Sequence, residues 1–172
     1  MQIIRNRALA ANHWRHELES TEELKSADIP AGDIVVSLER WVSDWEQLLA
    51  RGTKIAVKLD PDSDINRLLA TEFHEIWMIE LVFGTFAEGR GYSQARLLRD
   101  RHDFLGDIRA TGDVSRDRIS FMERCGVNEF VLNPQTDLEQ ALEAFTEISV
   151  QYQPTVDKNP VVAELRNYRL AA

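Results

Sequence analysis

Residues 88–99 (EGRGYSQARLLR) combine two glycines, a serine and three arginines, between an apolar segment and a helix-forming segment. Gly89 and Gly91 allow the backbone to turn and to approach a ligand closely, and Ser93 suits the N-cap of a helix. The free amides of a helix N-terminus attract negative charge, and neighbouring arginines strengthen that attraction. The pattern therefore predicts an anion-binding site. Its predicted residues are Arg90, Gly91, Tyr92, Ser93 and Arg96.

The same segment completes neither of the common nucleotide-binding motifs. It has no Lys-Ser or Lys-Thr pair at the spacing of a Walker loop, and it lacks the third glycine of a dinucleotide fingerprint. A turn that simply requires glycine is the alternative interpretation. The sequence therefore identifies no cofactor and leaves the ligand open.

A second glycine turn, Gly112-Asp113, follows the next strand candidate along the chain. Asp113 suits the cap of the following helix, and it could instead act as a general base if it faces a ligand. Glu80 stands in an otherwise apolar run, where a carboxylate must be paired, exposed or functional because an unpaired buried charge is costly. We therefore predict Asp113 and Glu80 as candidate catalytic carboxylates, and Arg109 and Gly112 as further anion-binding residues.

The charge is distributed unevenly along the chain. The formal net charge is -9 and the pI is about 4.9, which argues against general binding to nucleic acid or to anionic membranes. Residues 88–125 nevertheless contain eight arginines against seven acidic residues, and no lysine. Arginine suits two-point recognition of carboxylate, phosphate or sulfate. Solvated helix faces with surface ion pairs are the alternative explanation.

Cysteine and histidine are too few and too scattered to suggest a redox or metal centre. Cys125 is the single cysteine, so an internal disulfide or a thiolate cluster is impossible, and the four histidines show no ligand spacing. No long apolar segment indicates a signal peptide or a membrane span. We expect a soluble cytoplasmic protein without a metal site.

Strand-like and helix-like segments alternate over most of the chain. Apolar runs bounded by turn residues predict strands, and apolar residues spaced by three and four predict helices. The predicted strands are residues 34–38, 54–59, 76–83, 108–110 and 129–132, and the predicted helices are residues 38–49, 62–70, 93–101, 115–125 and 137–148. Thr136 and Glu139 predict a capping box for the last helix.

This alternation predicts an α/β fold, with a mainly parallel sheet of βα units, helices packed on it and a short N-terminal β arm that turns near Asn6. We predict one domain over residues 1–154, a peripheral arm over about residues 1–32 and a C-terminal extension over residues 155–172. In such sheets ligands bind at the carboxyl ends of the strands. Loops 84–92, 111–114 and 133–136 are therefore expected to form one binding edge.

Several of these segments together resemble the bacterial domain-of-unknown-function family 934. The resemblance rests on residues 83–99 (FGTFAEGRGYSQARLLR), 109–118 (RATGDVSRDR), 123–126 (ERCG), 129–132 (EFVL) and 150–154 (VQYQP). The residues that match the family pattern at the site are Arg90, Tyr92, Ser93, Arg96, Gly112 and Asp113. The family pattern has Phe-Pro-Lys-Phe before the loop, whereas this chain has Phe83-Gly84-Thr85-Phe86 and so lacks the lysine.

The resemblance implies an oxidoreductase or an accessory protein of sulfite reduction. It implies sulfite reductase or phosphoadenylyl-sulfate reductase as a partner, and a sulfur oxyanion or a sulfated nucleotide as a small anionic ligand. The leading hypothesis is therefore a protein that assists assimilatory sulfate or sulfite reduction, by binding such a ligand or by docking on the reductase.

Two other functions remain open at this point. One is a small α/β enzyme that uses Asp113 or Glu80 as a general base on an anionic substrate. The other is an interaction or dimerisation module without a ligand, in which Trp14, Trp41 and Trp45 form the partner face. The chain lacks the residues for an iron-sulfur or disulfide redox centre, so the resemblance alone suggests oxidoreductase activity.

Overall fold

The computed structural model describes residues 2–16, 31–85, 89–148 and 152–157, together with residues 161, 162 and 164. These residues contain eight strands, five α-helices and one short 3₁₀ helix. No helix in this part of the chain is long and apolar enough to cross a membrane. Glu88 and most of the predicted C-terminal extension lie outside the described residues.

Strands and helices alternate along the chain after a short N-terminal group of strands. The strands are β1 Gln2–Arg5, β2 Ala8–Ala11, β3 Arg15–His16, β4 Ile34–Ser37, β5 Ile55–Leu59, β6 Met78–Phe83, β7 Asp107–Gly112 and β8 Glu129–Phe130. The helices are α1 Leu38–Leu49, α2 Ile65–Leu69, α3 Arg90–Asp100, α4 Arg116–Arg124 and α5 Leu138–Glu143, and the 3₁₀ helix is Phe73–Glu75.

All eight strands belong to one sheet with the order β2-β1-β8-β7-β6-β5-β4-β3. Strands β3 to β8 pair in parallel, whereas β1 pairs antiparallel with both β2 and β8. This confirms the predicted α/β fold with a mainly parallel sheet and an N-terminal β arm. The predicted arrangement into βα units, each with a crossover helix, stays a prediction.

The N-terminal arm is a hairpin with the turn that the sequence predicted near Asn6. Asn6 and Arg7 have φ angles of 50° and 61°. A two-residue turn with two positive φ angles matches the right-handed twist of the flanking strands. Arg5 lies beside Glu129 in the antiparallel pairing of β1 with β8, so the hairpin extends the parallel sheet directly.

The sheet is strongly curled, because a three-residue connection joins its two edge strands. A flat sheet of eight strands would be roughly 34 Å wide at about 4.8 Å per strand spacing. Residues 12–14 link the end of β2 at Ala11 to the start of β3 at Arg15, and four residue steps span at most about 14 Å. The two edges must therefore curve towards each other.

The two sides of the curled sheet differ in chemistry. The side that faces the helices is apolar and forms the main core, with residues such as Val57, Leu81 and Ala110. On the inner side, Val35, Ala56 and Met78 pack with Trp14. The neighbouring inner positions carry charge. They are Lys58, Glu80, Arg109 and Glu129, which are register partners on β5 to β8 and which we call the charged band.

The structure corrects several predicted boundaries. Helix α3 begins at Arg90, with Gly89 as its N-cap, so the prediction of Ser93 as the N-cap was wrong. Helix α5 ends at Glu143 rather than at residue 148, and its cap is Asp137, whose carboxylate accepts from two backbone amides, rather than a Thr136 capping box. Strand β6 begins at Met78, two residues later than predicted.

Candidate anion-binding rim

Helices α3 and α4 begin at the carboxyl ends of β6 and β7, and side chains join their first turns. The Nε of Arg118 in α4 donates a hydrogen bond to the Tyr92 hydroxyl of α3 at 3.0 Å. Asp113 follows β7, and Asn133 lies beyond β8. We call the two first turns, together with Asp113 and Asn133, the rim.

Two glycines let the rim close around Phe83, the last residue of β6. A Cβ atom on Gly91 would lie 2.8 Å from the Phe83 ring, and a Cβ atom on Gly112 would lie 2.2 Å from the Phe83 carbonyl oxygen. Gly112 also has a φ angle of 88°, which disfavours other residues. Gly91 is therefore needed for close packing of a helix on a strand, rather than for the loop conformation that the sequence suggested.

Arg118 is the central side chain of the rim. It is only 6% exposed, and its NH1 donates to both the backbone carbonyl and the Oδ2 of Asp113, at 2.7 and 3.0 Å. Its guanidinium also stacks near the rings of Phe83 and Tyr92, with 5.9 Å to each centroid. The Asp113 side chain is 41% exposed. The rim thus holds an enclosed cation beside a carboxylate that reaches solvent.

Neither helix start in the rim is capped by the side chain of its cap residue. Gly89 has no side chain, and the hydroxyl of Ser115 donates to Asp117 at 2.6 Å instead of accepting from an amide. First-turn amides without such caps form a ready site for an anion. Arg90 is exposed in the first turn of α3 and adds positive charge there.

The remaining residues predicted from the glycine segment do not all join the rim. Ser93 lies inside α3, so its amide is not among the amides at the helix start. Arg96 forms an exposed ion pair with Asp100 one turn along the same helix, at 3.0 Å. Ser93, Arg96, Leu97, Asp100 and Arg101 line a separate open cleft of about 460 Å³ along α3.

Arg99, at the other end of α3, is a structural residue. It donates to the backbone carbonyls of Phe104, Gly106 and Gly126 and to the side chain of Asn128. Burial lowers the pKa of the Arg99 guanidinium from its ordinary value, while the charge of Asp107 acts in the opposite direction. The side chain therefore fastens two loops at the amino ends of the strands, far from the rim.

Arg109 does not lie in the rim, because it points into the curled sheet within the charged band. It is fully buried and bonds to Glu129 through Nε and NH2 and to Glu80 through NH1. Its NH2 also donates to the side chain of Asn12 at 3.1 Å. Each guanidinium nitrogen already has a protein partner, so Arg109 acts in this structure as the centre of an ion network.

His16 connects this buried network to solvent. Its Nε2 lies 2.9 Å from Oε1 of Glu80, and the two side chains are 51% and 3% exposed. Arg5 approaches the other carboxylate, Glu129, at 3.8 Å. Glu80 is therefore paired, which is one of the three interpretations of its sequence position, and its imidazole partner reaches solvent.

Sequence reasoning missed the roles of Asn12, His16 and Arg118. The first two lie in the arm that crosses the inner side of the sheet, and their contacts with Arg109 and Glu80 join residues 97 and 64 positions apart. Arg118 is one of the eight arginines of residues 88–125, and no individual role was assigned to it from the sequence. Its position three residues after Ser115, at a strand-to-helix transition, was the signal that could have identified it.

A metal centre and a reactive thiol gain no support from the described residues. No group of three or more His, Cys, Asp or Glu residues in that part of the chain is arranged to hold a metal ion. Cys125 is buried, and burial raises the pKa of its thiol above the ordinary value. The thiolate, which is the nucleophilic form, is therefore disfavoured.

Comparison with known proteins gives one family. The model of the family described as "Bacterial protein of unknown function (DUF934)" matches residues 56–162. This range includes the rim and all four residues of the charged band, but not the N-terminal arm. No curated protein matches the chain.

Proposed function

We propose that this chain, which belongs to the DUF934 family of bacterial proteins of unknown function, binds a small oxyanion at the rim and thereby assists assimilatory sulfate or sulfite reduction. The proposal of oxyanion binding rests on two neighbouring helix starts without side-chain caps from their cap residues, on either side of the enclosed cation Arg118. Aligned amides and a nearby guanidinium both favour negative charge.

The proposed role in sulfate or sulfite reduction rests on the family resemblance. The groups of the rim suit the oxyanions of that pathway. Sulfite and sulfate offer several acceptor oxygens, which match a set of backbone amides and arginine donors. Arg90 lies at the start of α3 and is exposed, so its charge lies near this helix start. The first-turn amides would hold the oxyanion, and Arg90 would add long-range attraction.

Calorimetric titration with sulfite, sulfate and adenylyl sulfate at fixed ionic strength tests the binding step. Arg90→Ala is expected to weaken binding by about twofold to fivefold, the effect of one charge near a helix start. Arg101→Ala is the matched control, because Arg101 is exposed at the far end of the same helix, about 16 Å away along the axis. A parent protein that binds none of these anions would rule out the proposal.

Growth on sulfate as the sole sulfur source tests the pathway separately. A strain without this protein is expected to grow poorly on sulfate and normally on cysteine. Restoration by the parent but not by the Arg90→Ala variant would connect the rim to the pathway. Normal growth of the deletion strain on sulfate would remove the pathway assignment and leave the anion-binding assignment standing.

Docking on the reductase is a second candidate function, and one surface favours it. Trp77 is 56% exposed and Leu105 is 94% exposed, and both line a cleft of about 430 Å³ at the amino ends of β6 and β7. Aromatic and apolar residues of this kind are common at interface hot spots. The three tryptophans first considered do not form such a face, since Trp41 is fully buried and Trp14 and Trp45 pack against apolar clusters.

Co-purification with sulfite reductase tests the docking function. Leu105→Glu is expected to abolish the interaction without affecting the fold, because the side chain is almost completely exposed. Tyr152→Glu, which changes a residue that is 82% exposed elsewhere, is the control. Equal recovery of the reductase with both variants would exclude this surface.

Catalysis with Asp113 as a general base is a third candidate, favoured by its partly exposed carboxylate beside Arg118. A base must lie within hydrogen-bond distance of the proton that it removes. The Asp113→Asn variant would keep anion binding and lose turnover of the bound compound. Unchanged turnover in that variant would exclude the role.

A further inference from the structure

The loop between α3 and β7 presents Leu105 to solvent on a firmly held backbone. Leu105 is 94% exposed, whereas the residue before it, Phe104, is buried in the main core. The guanidinium of Arg99 donates to the backbone carbonyls of both Phe104 and Gly106, on either side of Leu105. An apolar side chain on a backbone fixed in this way is pre-organised for binding, because little further ordering is needed.

Trp77 and Leu105 line one cleft of about 430 Å³ at the amino ends of β6 and β7. Trp77 is 56% exposed, and the ammonium group of Lys54 lies 4.3 Å from the centroid of its ring. This cation–π contact helps to orient the indole. We call Leu105, Trp77 and the cleft the amino-end patch. It combines a protruding apolar side chain with a cleft that can receive one.

The charged side chains around the amino-end patch carry both signs in equal number. Arg5, Glu75 and Asp107 line the cleft, and Lys54 lies over Trp77. Arg5 and Asp107 form an ion pair with each other. Lys54 and Glu75 are exposed, and neither has an ion-pair partner among the residues that the structure describes. The patch therefore offers one cation and one anion to whatever covers it.

We propose that two copies of this chain pair through the amino-end patch about a twofold axis, with Leu105 of each copy in the cleft of the other. A twofold interface uses the same surface on both copies, so that surface must be complementary to itself. A protruding leucine beside a cleft meets this requirement in shape. Lys54 and Glu75 meet it in charge, because each can pair with its opposite on the other copy, whereas a patch of one sign would repel its own copy.

This pairing is independent of the proposed oxyanion binding. The rim lies at the carboxyl ends of β6 and β7, and the amino-end patch lies at the opposite ends of the same strands. Both rims therefore stay open in the pair. Sulfite reductase, the second candidate considered above, would compete with the second copy for the patch. The equal number of charges of each sign favours the second copy, because a partner attracted by charge requires an excess of one sign.

Sedimentation velocity at increasing protein concentration tests the pairing. The parent is expected to show a reversible equilibrium between monomer and dimer. Leu105→Glu is expected to raise the dissociation constant at least about thirtyfold, the effect of losing a hot-spot residue, because a carboxylate is costly to bury in each cleft. Tyr152→Glu adds the same charge at a residue that is 82% exposed elsewhere, and it should keep the parent value.

Two outcomes of that experiment would overturn the proposal. One is a parent that stays monomeric up to about 1 mM, and the other is an equal dissociation constant for Leu105→Glu and Tyr152→Glu. A monomeric parent that still retains sulfite reductase would leave the docking function standing without self-pairing. Anion binding by the Leu105→Glu monomer should equal that of the parent, which separates this proposal from the function of the rim.

A mixture of two variants tests whether the contact is reciprocal. Leu105→Glu and Trp77→Lys should each be monomeric alone, because each places a charge in both contacts of the pair. In a mixed pair, one contact joins the introduced glutamate to the introduced lysine, and the other keeps the native Leu105 and Trp77. Sedimentation with a fluorescent label on one variant is therefore expected to show a mixed dimer. Two folded variants that do not associate would overturn the twofold arrangement.

Discussion

The charged band and the rim both place an enclosed arginine among acidic groups, but they are completed in different ways. In the band, Arg109 is fully buried between two carboxylates that are themselves almost fully buried, and each nitrogen of its guanidinium has a protein partner. In the rim, Arg118 is held by a carboxylate that is 41% exposed, next to helix starts without side-chain caps.

This difference separates a structural network from the proposed binding site. A buried ion network whose hydrogen-bonding groups all have protein partners is not stabilised further by a ligand. The network of the band also connects the curled sheet to the N-terminal arm through Asn12 and His16. In the rim, by contrast, neither cap residue of α3 or α4 satisfies the first-turn amides with its side chain. Arginine content alone could not distinguish the two, because Arg109 and Arg118 both lie within the same arginine-rich part of the sequence.

The largest effect is expected from breaking the band at its centre. Arg109→Met leaves Glu80 and Glu129 buried without their cation, and loss of one partner from a buried network costs about 3–5 kcal/mol. The free energy of unfolding, measured by urea denaturation, should fall by that amount. A loss below about 1 kcal/mol would show that the band is solvated and would break the comparison with the rim.

The control for Arg109→Met removes the whole network. A triple variant with Glu80→Leu, Arg109→Met and Glu129→Leu leaves no buried charge, and such replacements are often neutral or stabilising. It should therefore recover most of the stability lost in the single variant. A triple variant as unstable as the single one would mean that packing volume, rather than charge, is what Arg109 contributes.

The sequence predicted the band only in part, for a reason that Glu80 illustrates. Its apolar surroundings correctly indicated that the carboxylate must be paired, exposed or functional. The identity of the partner depends on the parallel register that sets Glu80 beside Arg109 and Arg109 beside Glu129. Register is a property of the assembled sheet, so a single sequence could assign Arg109 to an anion site with equal reason.

The sequence predicted where the rim residues lie along the strands and helices better than it predicted their local structure. A glycine turn after an apolar strand correctly placed Gly112 and Asp113 at a strand end. The alternation of strands and helices predicted the mainly parallel sheet that brings neighbouring strand ends together. The start of α3 was missed because a glycine in a first helical turn resembles a loop residue in the sequence. Gly91 is required there because a Cβ atom would meet the Phe83 ring. This contact forms only in the folded structure, so the local sequence does not indicate it.

A substitution at Gly112 tests whether the rim depends on its close approach to β6. Gly112→Ala places a methyl group 2.2 Å from the Phe83 carbonyl oxygen, on a residue with a φ angle of 88°. The left-handed backbone costs about 1–2 kcal/mol and overpacking adds about 1–3 kcal/mol. We expect urea denaturation to show a loss of about 2–5 kcal/mol in the free energy of unfolding.

Gly52→Ala is the matched control for Gly112→Ala. Gly52 has a φ angle of 68°, but nothing lies within 4 Å of the Cβ position, so the backbone term acts alone. It should cost about 1–2 kcal/mol. If the two variants lose the same free energy of unfolding, the Phe83 carbonyl moves away from the added methyl group without a measurable cost. The rim would then be less tightly packed than the structure indicates.

The smallest effect concerns the hydrogen bond that joins the two helix starts. Tyr92→Phe removes the hydroxyl that accepts from Nε of Arg118 at 3.0 Å and keeps the ring that packs near Phe83 and Phe121. Arg118 keeps its bonds to Asp113, so the loss in the free energy of unfolding should be about 1–2 kcal/mol, less than for a broken network.

Tyr152→Phe is the control for Tyr92→Phe, because that side chain is 82% exposed and the same change should alter stability by less than about 0.5 kcal/mol. The two variants together sharpen the difference between the regions. If Tyr92→Phe lowers the free energy of unfolding as much as Arg109→Met does, the rim is a closed network like the band. In a closed network, loss of one hydrogen bond also weakens the other bonds. A cost near that of Tyr152→Phe would instead mean that Arg118 is held by Asp113 alone.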